Sequence, residues 1–329
     1  VSSAAPDRGR APILWLVGAA VAGMLIFSPG LFTWFQLDDF VWIAVGRRAA
    51  ERGWWATLLT ATPQGTWRPI TDGLFFAAFG KLFGLDARPY RALVFATYAV
   101  DVVLVGVLAW RLGAGRREAL LAGVFFGVNA GLSMPMSWTC SYNQVAAVAC
   151  IASALLAWQA YCERGGAGRY VLVVLLQVIG CLVLEVQIMF PLIAALFVLL
   201  LQPRARWPRL ALALAPLAAV SLGWTVLHLV HAPPAVDGPY RARVGWVTLS
   251  TLWRYWNWTV MPPHYWESNT WTPLVPIAAI LLTGAVAVSA FRRGDRRPLF
   301  FAGTYVLILA PALTLPDHVV ENIVAAPAL

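Results

Sequence analysis

Long apolar runs recur along this chain and constrain its fold more than any other feature. The runs are Ala11 to Phe27, Ala92 to Trp110, Ala119 to Met134, Val145 to Tyr161, Tyr170 to Leu184, Gln187 to Leu201, Leu210 to Val230, Pro273 to Phe291 and Leu299 to Leu315. About twenty such residues cover a ~30 Å hydrocarbon core as an α-helix, and inside that core the chain must satisfy its own backbone N–H and C=O groups. The expectation is an all-α, polytopic transmembrane helical protein of about nine spans, folded as a single domain over residues 1–329. With 60% of its residues hydrophobic and 12% charged, the chain has too little polar surface for a soluble protein of its length.

Arg8 and Arg10 precede the first run, which lacks a small-residue cleavage signal and so reads as an uncleaved helix. The two runs flanking Glu185 are short and read as one broken helix or a tight pair. Ala325 to Leu329 open a fresh apolar run, so the chain is expected to be truncated at its C-terminus.

Gly73 to Phe83 is also apolar, but its ~11 residues cover about half of a bilayer core, so it reads as a juxtamembrane helix. Leaving it out places the clusters Arg8/Arg10, Arg111/Arg116/Arg117, Arg164/Arg169, Arg204/Arg206/Arg209 and Arg292/Arg293/Arg296/Arg297 on one side. These 14 arginines face only four acids, and the positive-inside rule makes that side cytoplasmic. The opposite side, with ten basic and nine acidic residues, is nearly balanced. No nucleic-acid partner is expected.

Two long outer segments remain, residues 28–91 and 231–272, and long ordered loops usually carry function. The first presents the adjacent acids Asp38 and Asp39 and continues as an interfacial helix from Phe40 to Arg52. The second carries Trp246, Leu249, Trp253, Trp256 and Val260 at helical spacing, an amphipathic helix on the outer surface. Asp38 and Asp39 are N-caps of the helix that starts near Phe40, or catalytic carboxylates, and the two roles are compatible because helix N-termini favour the ionised form.

Other residues have plainer readings. Cys140, Cys150, Cys162 and Cys181 show no CxxC spacing, and His231, His264 and His318 lack metal-ligand spacing. The outer tryptophans, Trp54, Trp55, Trp67, Trp253, Trp256, Trp258, Trp266 and Trp271 among them, form an interfacial belt before they form sugar-stacking surfaces. Asp101 and Glu185, inside apolar runs, need partners or a cavity. For Asp101 the expected partners are Gln177, Gln187, Asn129 or Asn143. Glu185 either has such a partner or lines a groove.

An ordered set of motifs carries a resemblance. Asp38-Asp39 follows the first membrane helix, Trp67-Arg68-Pro69-Ile70-Thr71 comes some thirty residues later, Gly84-Leu85 makes a turn, and Tyr90 opens the next helix. Over residues 28 to 111 this resembles the GT-C glycosyltransferases, in particular bacterial integral-membrane relatives of the TMTC-type protein O-mannosyltransferases. Glu185 with Pro191 is similar to that family's Lys-Glu…Pro segment, with Leu184 where Lys usually stands, and tetratricopeptide repeats are absent from this sequence.

The resemblance implies transfer of a sugar from a polyprenyl-phosphate donor to a hydroxyl acceptor, with inversion, at the outer face of a bacterial plasma membrane. Such an acceptor needs a carboxylate base, Asp38 before Asp39. The departing lipid phosphate needs preorganised cations, first Arg68, then Arg91 and Arg254, with Arg88, Arg241 and Arg243 as weaker choices. Glu185 and Trp67 are candidates for the donor groove. With a monophosphate leaving group and arginines at hand, no metal and no other cofactor is expected. The partners expected are the lipid-linked donor and membrane lipids. The alternative is a multispanning transporter or lipid flippase, a class that commonly shows internal repeats and midplane binding charges.

Overall fold

The computed structural model describes residues 12–53, 55, 66–231, 238, 240–261, 273–319 and 323, without the side chains of 49, 50 and 52. Arg8, Arg10, Trp54, His264, Trp266, Trp271 and Ala325 to Leu329 lie outside the described residues. The regular elements among the described residues are all helical: α1 Ile13–Ile26, α2 Asp39–Arg52, α3 Phe75–Phe83, α4 Ala87–Arg111, α5 Arg116–Gly127, α6 Ser133–Ser137, α7 Tyr142–Arg164, α8 Ala167–Val183, α9 Phe190–Leu201, α10 Trp207–His231, α11 Trp246–Val260, α12 Leu274–Arg292 and α13 Arg297–Leu313.

Among the described residues four helices are long and apolar enough to cross a membrane: Ala87–Arg111, Thr139–Arg164, Arg204–His231 and Leu274–Arg292. The pair Arg116–Gly127 and Ala130–Ser137, bent by 45°, makes five if counted as one span. Shorter apolar helices cover Ile13–Ile26, Ala167–Val183, Glu185–Leu201 and Arg297–Leu313. Small residues let these helices approach closely, as packing between membrane helices requires. At Gly23 of α1 a Cβ would meet the Tyr98 hydroxyl at 1.8 Å and the Gly127 carbonyl at 3.1 Å. The main core lies between α4, α7, α8 and α9, with Trp158 fully buried and donating to the Ala194 carbonyl at 3.2 Å.

Polar contacts sort the helix ends into two groups. At the arginine-rich end Arg297 donates to the Gly113 carbonyl at 2.8 Å, Arg206 to Cys162 at 3.1 Å and Arg169 to Gly165 at 2.9 Å. Because α8 starts, and α9 leads into Arg206, at this same end, the runs around Glu185 form a tight pair rather than one broken helix. Leu184, extended at φ −157° and ψ 140°, makes the break, and a 3-10 turn over Glu185–Met189 starts the return.

Three helices are too short or too polar for a span and gather at the opposite end. Helix α2 buries Trp42, Ile43 and Gly46, and at Gly46 a Cβ would lie 2.8 Å from the backbone of Phe76 and Ala77, so only glycine admits α3 here. Helix α3 follows a π-helical turn over Pro69–Leu74. Helix α11 buries Thr251, Tyr255 and Asn257, with Tyr255 against Leu309 and Leu313. Its apolar stripe turns outward instead, Trp246, Leu249 and Trp253 being exposed. That orientation suits a helix lying on a lipid surface.

Candidate functional site

The turn before α2 brings Asp38 and Asp39 into different surroundings. Leu37 sits at φ 46°, the one non-glycine residue with positive φ among those described, a conformation that costs an L-residue about 1–2 kcal/mol. Beyond it Asp38 is exposed and Asp39 fully buried. Asp38 occupies the N-cap position but its carboxylate makes no cap hydrogen bond. The capping expectation fails for this side chain because its helical backbone, φ −65° and ψ −17°, differs from the extended backbone of an N-cap that bonds.

Asp39 instead ties the turn down. Its carboxylate accepts the Gln36 N–H at 3.0 Å and, across 101 residues of chain, the Cys140 N–H at 2.6 Å. Thr33 and Gln36 side chains both donate to the Ser137 carbonyl, at 2.9 and 3.0 Å, and the Trp138 indole donates to the Gln36 carbonyl at 3.2 Å. Segment 137–140, a short connection by sequence, is thus the platform on which Asp38 stands. Burial pushes the Asp39 carboxyl up to about 6, the main-chain N–H donors and Arg91 pulling it back.

Arg91 is corrected from a phosphate ligand to a strut. It is fully buried in α4, with Nε donating to the Gly30 carbonyl at 2.9 Å and Nη2 to that of Met136. Nη1 has no hydrogen-bond partner among the described residues, but it is buried with the rest of the side chain, out of reach of a lipid phosphate.

The second half of the site forms where the chain before α3 meets the end of α8. Arg68, at φ −126° and ψ 77°, stays out of the helical region that a following proline disfavours, and Pro69 starts the π-helical turn. Thr71 donates to the Val183 carbonyl at 2.8 Å, and Arg68 Nε donates to both carboxylate oxygens of Glu185 at 2.9 Å each. Both partners are about a fifth exposed. Asp72, 1% exposed, lies 3.8 Å from Arg68 Nη1 and accepts from the Thr66 hydroxyl at 3.2 Å and from Asn143. Burial disfavours charge on Arg68, but Glu185 and Asp72 outweigh it and hold the guanidinium above its ordinary range. Burial pushes Asp72 up to about 6, with Arg68 opposing and Glu185 reinforcing the shift.

Sequence reasoning passed over Asp72. The available signal was an acid within an apolar stretch, immediately after Thr71. Tyr240 was missed as well, and nothing in its local sequence marked it. Half-exposed, it lies within electrostatic reach of both Arg68 and Asp38 and packs at a tilt against His318, with ring centroids 4.1 Å apart. Asp38, Asp39 and Asp72 all lie within electrostatic reach of the Cys140 thiol.

The remaining candidates lie elsewhere or are covered. Trp67 is 5% exposed, stacked at 4.5 Å on Trp224 on one side and His231 on the other. Both faces of its ring are therefore covered, and it fastens α10 to the site rather than opening onto a sugar. Arg88 pairs with Asp86, and Arg243 with Asp317. Arg241 and Arg254 are exposed. Among the described residues Asp101 has neither the expected amide partner nor any other, both its oxygens being buried without a hydrogen bond. Gln177, proposed for it, bonds Gln187 and Ser221 instead.

Among the described residues no three His, Cys, Asp or Glu side chains converge as a metal site. In comparisons with known proteins, no family model, no curated protein and no solved structure matches this chain.

Proposed function

We propose that this chain is a membrane glycosyltransferase of the GT-C type, transferring a sugar from a polyprenyl-phosphate donor to a hydroxyl acceptor with inversion. The observation that carries the reading is the gathering, at the end opposite the arginine clusters, of an exposed carboxylate on a fixed platform and an arginine held at Nε by Glu185, with Asp72 3.8 Å from Nη1. On this reading nine helices or helix pairs span a bacterial plasma membrane and the site faces outward. The motif likeness over residues 28 to 111 supports it.

In the proposed reaction the acceptor oxygen attacks the anomeric carbon while Asp38 takes the hydroxyl proton. The bond from that carbon to the phosphate oxygen breaks, and its electron pair stays on the lipid phosphate. Asp39 fixes the turn that carries the base. Glu185 holds Arg68 by Nε, leaving the Nη groups to face the phosphate, where a guanidinium can grip two oxygens. The positive charge there is preorganised by carboxylates already in place, which is what developing negative charge needs.

The alternative, a transporter or lipid flippase, is favoured by one observation, the unpartnered Asp101 buried within a helix long enough to span. The deciding experiment incubates the purified protein with a panel of polyprenyl-phosphate sugars and acceptors and measures release of polyprenyl phosphate. Release that disappears in Asp38→Asn supports transfer. Absence of release, together with lipid or solute movement that depends on Asp101, supports transport.

A further inference from the structure

Around Arg68 the chain has already placed two carboxylates against one cation. Glu185 faces Nε and Asp72 lies 3.8 Å from Nη1. A lipid phosphodiester arriving at the Nη groups brings a third negative charge into a space in which Asp72 is 1% exposed. Three anions around one guanidinium, one of them cut off from water, favour neutralising an acid over keeping all three charged.

We propose that Asp72 takes up a proton when a lipid phosphate binds at Arg68, making donor binding proton-coupled; this rests on the reading of Arg68 as the phosphate ligand. The proton comes from solvent and adds to a carboxylate oxygen, and no covalent bond of the donor changes in this step.

Geometry selects Asp72 over Glu185. Glu185 is about a fifth exposed and accepts a charge-assisted hydrogen bond through both oxygens, which a proton would disrupt. The partners of Asp72 accommodate either state. The Thr66 hydroxyl, which donates to the carboxylate, can rotate and accept from a carboxylic acid. Asn143, which also donates to Asp72, has its Oδ1 buried without a hydrogen-bond partner. With the amide turned over, that oxygen is the acceptor a protonated Asp72 needs.

Among the described residues, the surroundings add no other charge that would do this work. The turn holding Asp72 packs against α2, α3, α7 and α8. Helix α2 brings Arg47, whose charge acts on Tyr90, and the acid of Asp39, already bonded to main-chain N–H groups. Helix α3 carries Lys81, exposed and a helix length away. Helix α7 contributes Asn143, preceded by the Cys140 thiol, and α8 contributes the Val183 carbonyl that receives Thr71. Burial already holds Asp72 near the point at which a neighbouring anion decides its protonation.

The test uses the full chain in lipid nanodiscs and farnesyl methyl phosphate, a phosphodiester that does not titrate near neutrality. Titration calorimetry at pH 7.5 in two buffers of different ionisation enthalpy should show uptake of about one proton per bound diester. The Kd should rise by up to about tenfold per pH unit above pH ~6.5, the slope of one linked proton. In Asp72→Asn the uptake should vanish, and the diester should bind at pH 8 at least tenfold tighter than to wild type. Infrared difference spectra of the wild type should gain a protonated-carboxyl band on binding, retained in Glu185→Gln, and this reading stands even where Asp72→Asn folds poorly. Binding without proton uptake, but abolished in Arg68→Ala, would overturn the Asp72 proposal and leave the Arg68 reading in place. Proton uptake that persists in Asp72→Asn would overturn it too. No binding to wild type, or unchanged binding to Arg68→Ala, would remove the Arg68 reading and the proposal with it.

Discussion

Arg68 donates its Nε–H to both carboxylate oxygens of Glu185, 2.9 Å to each, across 117 residues of chain. The bond fixes the guanidinium plane, with Nη1 3.8 Å from Asp72. Lysine at 68 keeps a charge but has one compact ammonium, which cannot hold Glu185 and grip two phosphate oxygens together. On the proposed function, Arg68→Lys should lower turnover roughly 10²- to 10³-fold. Glu185→Gln keeps an acceptor but drops the charge, and should fall between wild type and Arg68→Lys. The measurement is turnover per folded molecule, alongside thermal unfolding. Normal turnover in Arg68→Lys with a lowered melting temperature would assign the pair a structural role only.

The two adjacent acids should separate by assay. Asp38 is exposed and its carboxylate makes no cap bond, so Asp38→Asn should leave the melting temperature nearly unchanged while lowering turnover by ~10²- to 10⁴-fold. Asp39 is buried and accepts two main-chain N–H groups, so Asp39→Ala leaves buried donors unpaired and should cost about 1–3 kcal/mol each. Its signature is low yield and early unfolding. Full activity in both Asp38→Asn and Asp39→Asn would end the catalytic reading of this pair.

These contrasts mark where sequence reading succeeds. The helix beginning at Asp39 lies within one residue of the expected start, because the apolar spacing of Trp42, Ile43 and Val45 is a local signal. That Arg68 stays non-helical before a helix start follows from Pro69 alone, although its ψ of 77° falls short of the extended backbone expected there. Local rules do not say which distant chain ends meet. Arg91 carries the same charge as Arg68, yet one is enclosed by the carbonyls of Gly30 and Met136 and the other borders two acids. Periodicity also found the stripe on α11 but not its direction, since lipid and protein interior both accept apolar faces.

The proposed sidedness rests on the arginine asymmetry and is independent of chemistry. Cysteines introduced at Leu37 and Val244, 74% and 84% exposed at the acid end, should react with a membrane-impermeant thiol reagent added outside intact cells. Cysteines at Arg117 and Arg293, exposed at the arginine-rich end, should not. The four native cysteines are replaced beforehand so that only the introduced thiols report. Reversed labelling would move Asp38 to the cytoplasmic face and end the assignment of an outer-face site.

Buried acids make stability depend on pH in a direction that can be worked out. Asp39 and Asp72 are each raised from 3.8 to about 6 in the folded chain, so between those values the folded state binds more protons than the unfolded one. Their contribution is therefore fully present below pH ~4, is lost as pH rises toward 6, and stays lost above that, by at most about 3 kcal/mol per group. Thermal unfolding in detergent should accordingly show a melting temperature that falls from pH 4.5 to 6.5 and then levels, other groups held constant. Asparagine resembles the neutral acid in shape and carries no charge. Asp72→Asn should match wild type near pH 4.5 and melt higher than wild type at pH 7.5, the difference opening across the same interval. A variant less stable than wild type at pH 7.5 would mean that the Arg68 charge outweighs the burial of Asp72, and that Asp72 holds the site together instead of being held there at a cost.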